Sequence, residues 1–188
     1  MALEHSPVCE FGVAAPDFSL PGVDGKQWSR DDCLGPSGLL VVFMCNHCPY
    51  VKAIRDKLVR DARDLQALGI GVVGINANDA DQYPEDSFAN MQRDAREFDY
   101  PFPYLYDQSQ AVARAYGAVC TPDFFGYNAR LELQYRGRLD ASGRQPDSGE
   151  QPRELYWSMQ QVAETGQGPA EQVPSMGCSI KWRQASAQ

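Results

Sequence analysis

The hydrophobic pattern of the chain alternates between short apolar runs and longer segments with a helical period. Residues 39–44 are six apolar residues in succession, which predicts a strand buried on both faces. Apolar residues then recur at steps of three and four over residues 51–68, which predicts an amphipathic helix that ends at Gly69. Residues 70–76 predict a second buried strand. A strand, a helix and a strand in this order predict a right-handed parallel crossover.

Shorter elements are predicted on either side of this unit. They are a hairpin over residues 16–29, a polar segment of weak helical period at 84–98, an extended segment at 100–106, a helix at 109–116, strands at 123–127 and 131–135 joined by a tight turn, a polar loop at 140–152 and a last helix at 153–165. We therefore expect a single domain over residues 1–188, with residues 1–14 as a poorly fixed lead-in and residues 167–188 as a C-terminal tail.

Two cysteines stand where the first buried strand gives way to the helix, in the sequence Cys45-Asn46-His47-Cys48-Pro49. The free amides and the dipole of a helix N-terminus stabilise a thiolate, which is the nucleophile in disulfide exchange and in peroxide reduction. We expect Cys45, as the exposed sulfur, to attack, and Cys48, one turn into the helix, to resolve the mixed disulfide. A cationic His47 would lower the pKa of the Cys45 thiol further.

Three other residues are candidates for the same site. Thr121 and Pro122 come directly before a predicted strand, where they would shape a docking surface through backbone contacts to a partner strand. Cys120 precedes them and is either a wall residue or the source of an alternative disulfide. Cys178, in the tail cluster 175–182, is a candidate extra thiol, although anchoring of the tail by Trp182 is the favoured interpretation of that cluster.

Separated motifs of the chain together resemble those of a known group. The motifs lie at residues 15–26, 45–51, 120–125 and 177–182, and the resemblance covers residues 12–183. They are similar to the peroxiredoxin-like proteins of thioredoxin fold, within the redoxins of the alkyl-hydroperoxide-reductase/thiol-specific-antioxidant (AhpC/TSA) type. The resemblance implies an α/β thioredoxin-like fold, with a central mixed sheet and flanking helices, and it favours a cis peptide before Pro122.

Departures from better-known relatives decide between the expected activities. Peroxiredoxins proper carry a threonine three residues before the peroxidatic cysteine, whereas Val42 stands three residues before Cys45. The two-residue spacing of Cys45 and Cys48 favours a thiol-disulfide oxidoreductase, with a thiol peroxidase as the alternative. A third interpretation is a copper(I) or zinc site made by Cys45, His47, Cys48 and Cys120, but structural zinc sites usually bring two close ligand pairs and only one is present.

Composition narrows the expected partners and location. The formal net charge of −8 argues against nucleic acid, and no apolar run approaches the ~20 residues of a membrane span. The start of the chain lacks the pattern of a signal peptide, so we expect a cytoplasmic protein with reduced thiols. The expected partners are protein or small-molecule disulfides, or peroxides, together with a cellular thiol reductant. No cofactor is expected, because the glycine pattern at 69–74 runs from a helix into a strand, the reverse of a dinucleotide site.

Overall fold

The computed structural model describes residues 2–145, 149 and 151–184, and this part of the chain contains ten strands and five helices. The strands are β1 (Leu3–His5), β2 (Ser19–Pro21), β3 (Gln27–Ser29), β4 (Gly38–Phe43), β5 (Ile70–Asn76), β6 (Tyr104–Tyr106), β7 (Cys120–Thr121), β8 (Asp123–Asn128), β9 (Leu133–Tyr135) and β10 (Met176–Ser179). The helices are α1 (Arg30–Cys33), α2 (Pro49–Ala67), α3 (Phe88–Glu97), α4 (Ala111–Tyr116) and α5 (Glu154–Thr165).

The central sheet is mixed and has β4 at its middle. Strand β8 pairs antiparallel with β4, with Val41 opposite Phe125, and β9 pairs antiparallel with β8. On its other side β4 lies beside β5, where the Met44 N–H donates to the Ile75 carbonyl at 2.9 Å. Strand β5 in turn pairs parallel with β6. The predicted α/β architecture with a central mixed sheet is confirmed.

Both faces of the sheet are covered, because every residue of β4 is buried. Leu40, Val42 and Met44 pack into one hydrophobic cluster together with residues of α2 and α5. Leu39, Val41 and Phe43 point to the opposite face and pack into a second cluster with residues of α4. Successive side chains of a strand point to opposite faces, so one apolar run supplies both cores.

The glycines at the junction of α2 and β5 allow close packing of the backbone. Gly69 ends the helix at a φ of +83°, where a side chain would be strained. A Cβ on Gly71 would lie 1.9 Å from the carbonyl oxygen of Cys33, so the backbone of β5 can approach residues 33–35 only through glycine. These residues run from helix into strand, as the sequence predicts.

The two ends of the chain are more ordered than the sequence predicts. The lead-in 1–14 contains β1, and the tail contains β10, which lies between β1 and β7 in an antiparallel three-stranded sheet. The prediction of a poorly fixed lead-in is therefore wrong for β1. Its residues are exposed and carry no apolar pattern, so only pairing with a distant strand orders them. No helix in the described residues is both long and apolar enough to span a bilayer.

Smaller differences concern the connections. The strand predicted at 131–135 begins only at Leu133, because Leu131 has a positive φ and Asn128 accepts backbone N–H groups of Arg130 and Glu132 across a longer turn. The short helix α1 was not predicted, although Ser29 and Asp32 form a capping box at its start. Part of the predicted loop 140–152 lies outside the described residues, namely residues 146–148 and 150.

Candidate functional site

Cys45 and Cys48 lie in the loop that connects β4 to α2, beyond the end of the central strand. Cys48 is the residue before the first helical residue, Pro49, and both cysteines are free thiols. Their residues are 1% and 0% exposed, respectively. The expectation that Cys45 is the exposed sulfur is therefore wrong for this reduced structure. Residues distant in the sequence, Thr121 among them, lie against both sulfurs, so the sequence around the cysteines could not reveal their burial.

Thr121 is the residue that touches both sulfurs. Its hydroxyl Oγ1 lies 3.4 Å from the Sγ of Cys45, and the Sγ of Cys48 donates to its carbonyl oxygen at 3.2 Å. The Thr121–Pro122 peptide is cis, as the resemblance implies. The structure thus brings Cys45 and Cys48 together with Thr121 and the adjoining Pro122, although the two cysteines lie more than seventy positions from Thr121 in sequence.

Cys178 joins these residues from the C-terminal tail. In the pairing of β10 with β7 it lies directly opposite Thr121, and it belongs to the same buried cluster as Cys45 and Cys48. Cys48 and Cys178 are close enough to shift each other's pKa, that of Cys48 down and that of Cys178 up. Trp182 also anchors the tail, because the guanidinium of Arg114 lies 4.4 Å from its ring centre. Both interpretations of the cluster 175–182 therefore describe the structure.

Cys120 lies beside the site but is turned away from it. Its Sγ donates to the carbonyl of Pro122 at 3.5 Å, and burial raises the pKa of its thiol well above the ordinary value. Neighbouring residues of a strand face opposite sides, so the contact of Thr121 with both sulfurs directs Cys120 elsewhere. This geometry favours the wall-residue alternative for Cys120.

Asp86 organises the loop between the two cysteines and was not identified from the sequence. Its carboxylate accepts the backbone N–H groups of Asn46 and His47, at 2.8 and 3.2 Å, and the Nδ2 of Asn78 at 2.7 Å. Tyr104 fixes the same loop, because its hydroxyl donates to Asn46 Oδ1 at 2.9 Å. Asp86 and Asn78 both lie in the segment that follows β5, the neighbour of β4. Loops that follow adjacent strands often meet at a site, and this is the signal that could have indicated them.

His47 is held by Asp86 and by an aromatic ring. Its Nδ1 lies 2.6 Å from the Oδ2 of Asp86, and its ring stacks on Tyr83 with an interplanar angle of 10°. The hydrogen bond to Asp86 raises the pKa of His47 above its ordinary value, which favours the imidazolium. Burial raises the pKa of the Asp86 carboxyl, but hydrogen bonds from His47 and Asn78 outweigh it and hold that pKa below its ordinary value.

The ionisation of the cysteines is shared between neighbouring sulfurs. Burial is the main reason why the pKa of Cys45 is raised, and the neighbouring Cys48 and Asp86 raise it further. The hydrogen bond from the Cys45 thiol lowers the pKa of Cys48, and so do the Cys178 thiol and the amide of Val51 in the first turn of α2. Cys48 is therefore the member of the pair that loses its proton first, and as a thiolate it no longer donates to Thr121. The pKa of Cys45 is thus raised overall, and the Asp86 carboxylate that holds His47 is among the groups that raise it.

The predicted metal-ligand set is not assembled. Among the described residues, the side chains whose ligand atoms all lie within 4.8 Å of one another are Cys45, His47 and Asp86, without Cys48 or Cys120. Asp86 is already engaged by two backbone amides and the imidazole, so its carboxylate is occupied in stabilising the loop. The set of Cys45, His47, Cys48 and Cys120 was therefore wrong as a single cluster.

An apolar cavity of about 330 Å³ lies next to the thiol site, and Pro122 forms part of its wall. Its walls include Tyr50 and Ile54 of α2, Phe124 of β8 and Met176 of β10. No cysteine lines it, so it borders the thiol site without containing the reacting atoms.

Comparison with known proteins places this site in a redox family. The chain is 43% identical to a conserved protein from Geobacillus kaustophilus in a crystal structure, with a TM-score of 0.91 and 99% of each chain covered. It is 26% identical over 117 residues to a protein of Coxiella burnetii named as a peroxiredoxin, bcp, covering 62% of this chain and 72% of that protein. A solution structure from Neisseria meningitidis, named as a thioredoxin, matches with a TM-score of 0.61 at 24% identity over 80% of this chain and 90% of that chain, and it confirms the predicted thioredoxin-like fold.

The family model called AhpC/TSA matches residues 11–142, which include the strand β4, both cysteines of the loop and the cis peptide. This match covers more than half of the chain and confirms the predicted oxidoreductase class. The chain belongs to the AhpC/TSA family.

Proposed function

We propose that this protein is a thiol-disulfide oxidoreductase whose redox pair is Cys45 and Cys48. The observation that carries the proposal is the position of two free thiols before the start of α2, both in contact with Thr121. The pKa of one of them, Cys48, is lowered. A lowered pKa keeps a thiolate present at neutral pH, and a thiolate is what attacks a disulfide. The expected partners are protein or small-molecule disulfides, with a cellular thiol as the reductant.

The proposed reaction has two exchange steps. In the first, the Cys45 thiol passes its proton to the Cys48 thiolate as its sulfur attacks one sulfur of the partner disulfide. A mixed disulfide forms, and the other partner sulfur leaves and takes up that proton, which restores the Cys48 thiolate. In the second, the Cys48 thiolate attacks Cys45, the Cys45–Cys48 disulfide forms, and the remaining partner sulfur leaves and takes up a proton. Cys48 suits the resolving role because its pKa is lowered while that of Cys45 is raised, and because both sulfurs contact Thr121.

His47 and Asp86 act on this reaction by positioning the loop. Asp86 accepts the two backbone amides of residues 46 and 47, so it fixes the distance between the cysteines. Thr121 supports the pair through its hydroxyl and carbonyl oxygens, and Pro122 separates it from the apolar cavity. A cytoplasmic location, where thiols stay reduced, remains part of the proposal.

Trapping variants test the assignment of roles. We expect Cys45→Ser to slow reduction of a small disulfide strongly, since the attacking sulfur of the pair is lost, and Cys48→Ser to accumulate a mixed disulfide at Cys45, since its resolving sulfur is lost. Intact mass and peptide mapping identify the adduct. Cys9→Ser is the matched control, because Cys9 lies away from the site and its loss should leave turnover unchanged. Full turnover by the Cys45 variant would refute the proposal.

Peroxide reduction is the second candidate, and one contact favours it. The Thr121 hydroxyl lies 3.4 Å from Cys45 Sγ, so it supplies the hydroxyl that is missing at Val42. In that reaction the peroxide O–O bond breaks, Cys45 becomes a sulfenic acid, and Cys48 condenses with it to a disulfide with release of water. The rates of the reduced protein with hydrogen peroxide and with a small disulfide, measured side by side, decide which activity dominates.

A further inference from the structure

The edge of β7 that the sequence assigns to a partner strand is occupied by the protein's own tail. Strand β10 pairs antiparallel with β7, with Cys178 opposite Thr121 and Ser179 opposite Cys120. Thr121 is also the residue whose side chain and carbonyl contact Cys45 and Cys48. A cysteine of this chain therefore stands where the cysteine of a docked partner strand would stand.

Residue choice in the tail allows this close approach. A Cβ on Gly177 would lie 2.1 Å from the carbonyl oxygen of Thr121 and 3.1 Å from the nitrogen of Pro122, so only glycine lets β10 lie so near. Ser175 donates from its hydroxyl to the Pro122 carbonyl at 2.7 Å. The residues that precede Cys178 are thus fitted to the backbone of the site.

Further along, the tail is tied to the network that holds the cysteine loop. The backbone N–H of Lys181 donates to Asn78 Oδ1 at 2.9 Å, and Asn78 donates to the Asp86 carboxylate. The Lys181 carbonyl accepts the Asp79 amide and the Gln110 side chain. The same hydrogen-bonded network therefore holds the redox loop and the strand that covers it.

The three sulfurs form a series with Cys48 at its centre. Cys48 is among the causes of the raised pKa values of both Cys45 and Cys178, and both of these thiols lower the pKa of Cys48. Burial, and then the neighbouring Cys48, raise the pKa of Cys178 to about 12. Once Cys48 is part of a disulfide its negative charge is gone, so one of the two obstacles to ionisation of Cys178 disappears.

We propose that Cys178 is a third exchanging thiol, presented to Cys48 by β10 as an internal substrate strand. In this step the Cys178 sulfur attacks Cys48 of the Cys45–Cys48 disulfide, the Cys48–Cys178 bond forms, the Cys45–Cys48 bond breaks, and the Cys178 proton ends on Cys45. No electrons are gained or lost overall. The inference rests on the proposed function, which supplies the first disulfide, and it adds a regulated state in which β10 is covalently fixed over the docking edge.

Disulfide mapping in a Cys45→Ser background tests the step. The reduced full-length variant is treated with 2-hydroxyethyl disulfide, which can form an adduct with Cys48. We expect this adduct to be lost and replaced by an internal disulfide, seen as a loss of two hydrogens in the intact mass and as a linked peptide pair containing Cys48 and Cys178. Persistence of the adduct, or linkage of Cys48 to Cys120 instead, would overturn the inference.

Two double variants are the matched controls. Cys45→Ser/Cys178→Ser should retain the adduct, because the resolving sulfur is absent, whereas Cys45→Ser/Cys120→Ser should still lose it. Circular dichroism of each variant confirms that it is folded. The outcome is separable from the proposed function. If the wild type forms Cys45–Cys48 and turns over but the Cys45 variant never links Cys48 to Cys178, only the third thiol fails. If the wild type never forms Cys45–Cys48, the proposed function fails.

Discussion

At the scale of single residues, Asp86 determines the geometry of the cysteine loop. Its carboxylate is buried and accepts from two consecutive backbone amides, the His47 ring and the Asn78 side chain. A buried carboxylate is stable only when such donors surround it. The two amides and the imidazole depend on Asp86 in turn, because a donor left without its partner in a buried site costs about 1–3 kcal/mol.

Asp86→Asn should lower the pKa of His47 and destabilise the protein. The amide removes the negative charge that favours the imidazolium, and its NH₂ group faces donors where the carboxylate accepted them. Because hydrogen bonds to a charged group contribute about 1.5–3 kcal/mol, we expect a loss of about 2–3 kcal/mol in the free energy of unfolding. Imidazole NMR signals followed against pH give the His47 pKa, and urea denaturation gives the stability.

Asp81→Asn is the control for this change. Asp81 carries the same charge in the same connecting segment, but its side chain is 79% exposed and pairs with Arg183 at 3.3 Å. Exposed ion pairs contribute about 0–1 kcal/mol, so stability should change little and the His47 titration should stay where it is. Equal effects of the two substitutions would mean that only net charge matters and that Asp86 has no special role.

At the scale of elements, β10 controls the access of partner molecules to the thiols. The strand is four residues long, and it is held by pairing with β1 and β7 and by the hydrogen bonds of Ser175 and Lys181. Short strands of a small sheet, held mainly by backbone pairing, open more easily than the strands of the central core. Under the proposed function, a protein partner docks at Thr121 only after β10 has moved away.

Gly177→Ala should loosen β10 and expose the cysteines. The new Cβ cannot remain 2.1 Å from the Thr121 carbonyl, so the strand must shift from β7. We expect the thiols of the reduced protein to react faster with a bulky aromatic disulfide, measured by the release of its coloured thiol, while Cys48–Cys178 formation decreases. Gly25→Ala is the control, because its Cβ meets nothing within 4 Å and its φ of +81° makes it destabilising without moving β10. Equal acceleration by both variants would contradict a gating role for β10.

At the scale of the whole molecule, the His47–Asp86 pair links stability to pH. The pKa of folded His47 is raised above 6.5, so its contribution to stability is complete below pH 6.5 and is lost as pH rises through the folded-state pKa. The pKa of folded Asp86 is lowered below 3.8, so its contribution is present above pH 3.8 and is lost as pH falls through the folded-state pKa. The pair therefore stabilises the fold most between these two values.

His47→Gln should remove the first of these dependences. We expect the difference in unfolding free energy between wild type and variant to be largest below pH 6.5 and to shrink as pH rises through the His47 pKa. Urea denaturation at a series of pH values from about 5 to about 9 measures it, the range in which a perturbed histidine titrates. His5→Gln, in the exposed strand β1, is the control and should show no such trend. A difference that grows with pH would contradict the assigned direction.

Much of the central fold follows from local sequence. The apolar run at 39–44 determines a strand buried on both faces, and the period of three and four over 51–68 determines α2. These patterns are reliable because burying apolar surface is the largest favourable term in folding and because each element imposes its own spacing. The cysteine spacing at the start of α2 likewise predicted the redox chemistry, since a helix N-terminus stabilises a thiolate wherever it occurs.

What the sequence alone could not determine is which distant segments meet at those cysteines. β1 and β10 carry few apolar residues and are strands only because they pair with each other and with β7. In the sequence, nothing distinguishes Asp86 from the other polar residues of its segment. Tertiary packing buries it beside His47. Local patterns report burial and helix or strand period, whereas strand pairing and buried hydrogen bonds depend on residues far apart in the chain. Only the tertiary structure therefore decided that Cys178 lies against Cys48 and that the thiols are covered.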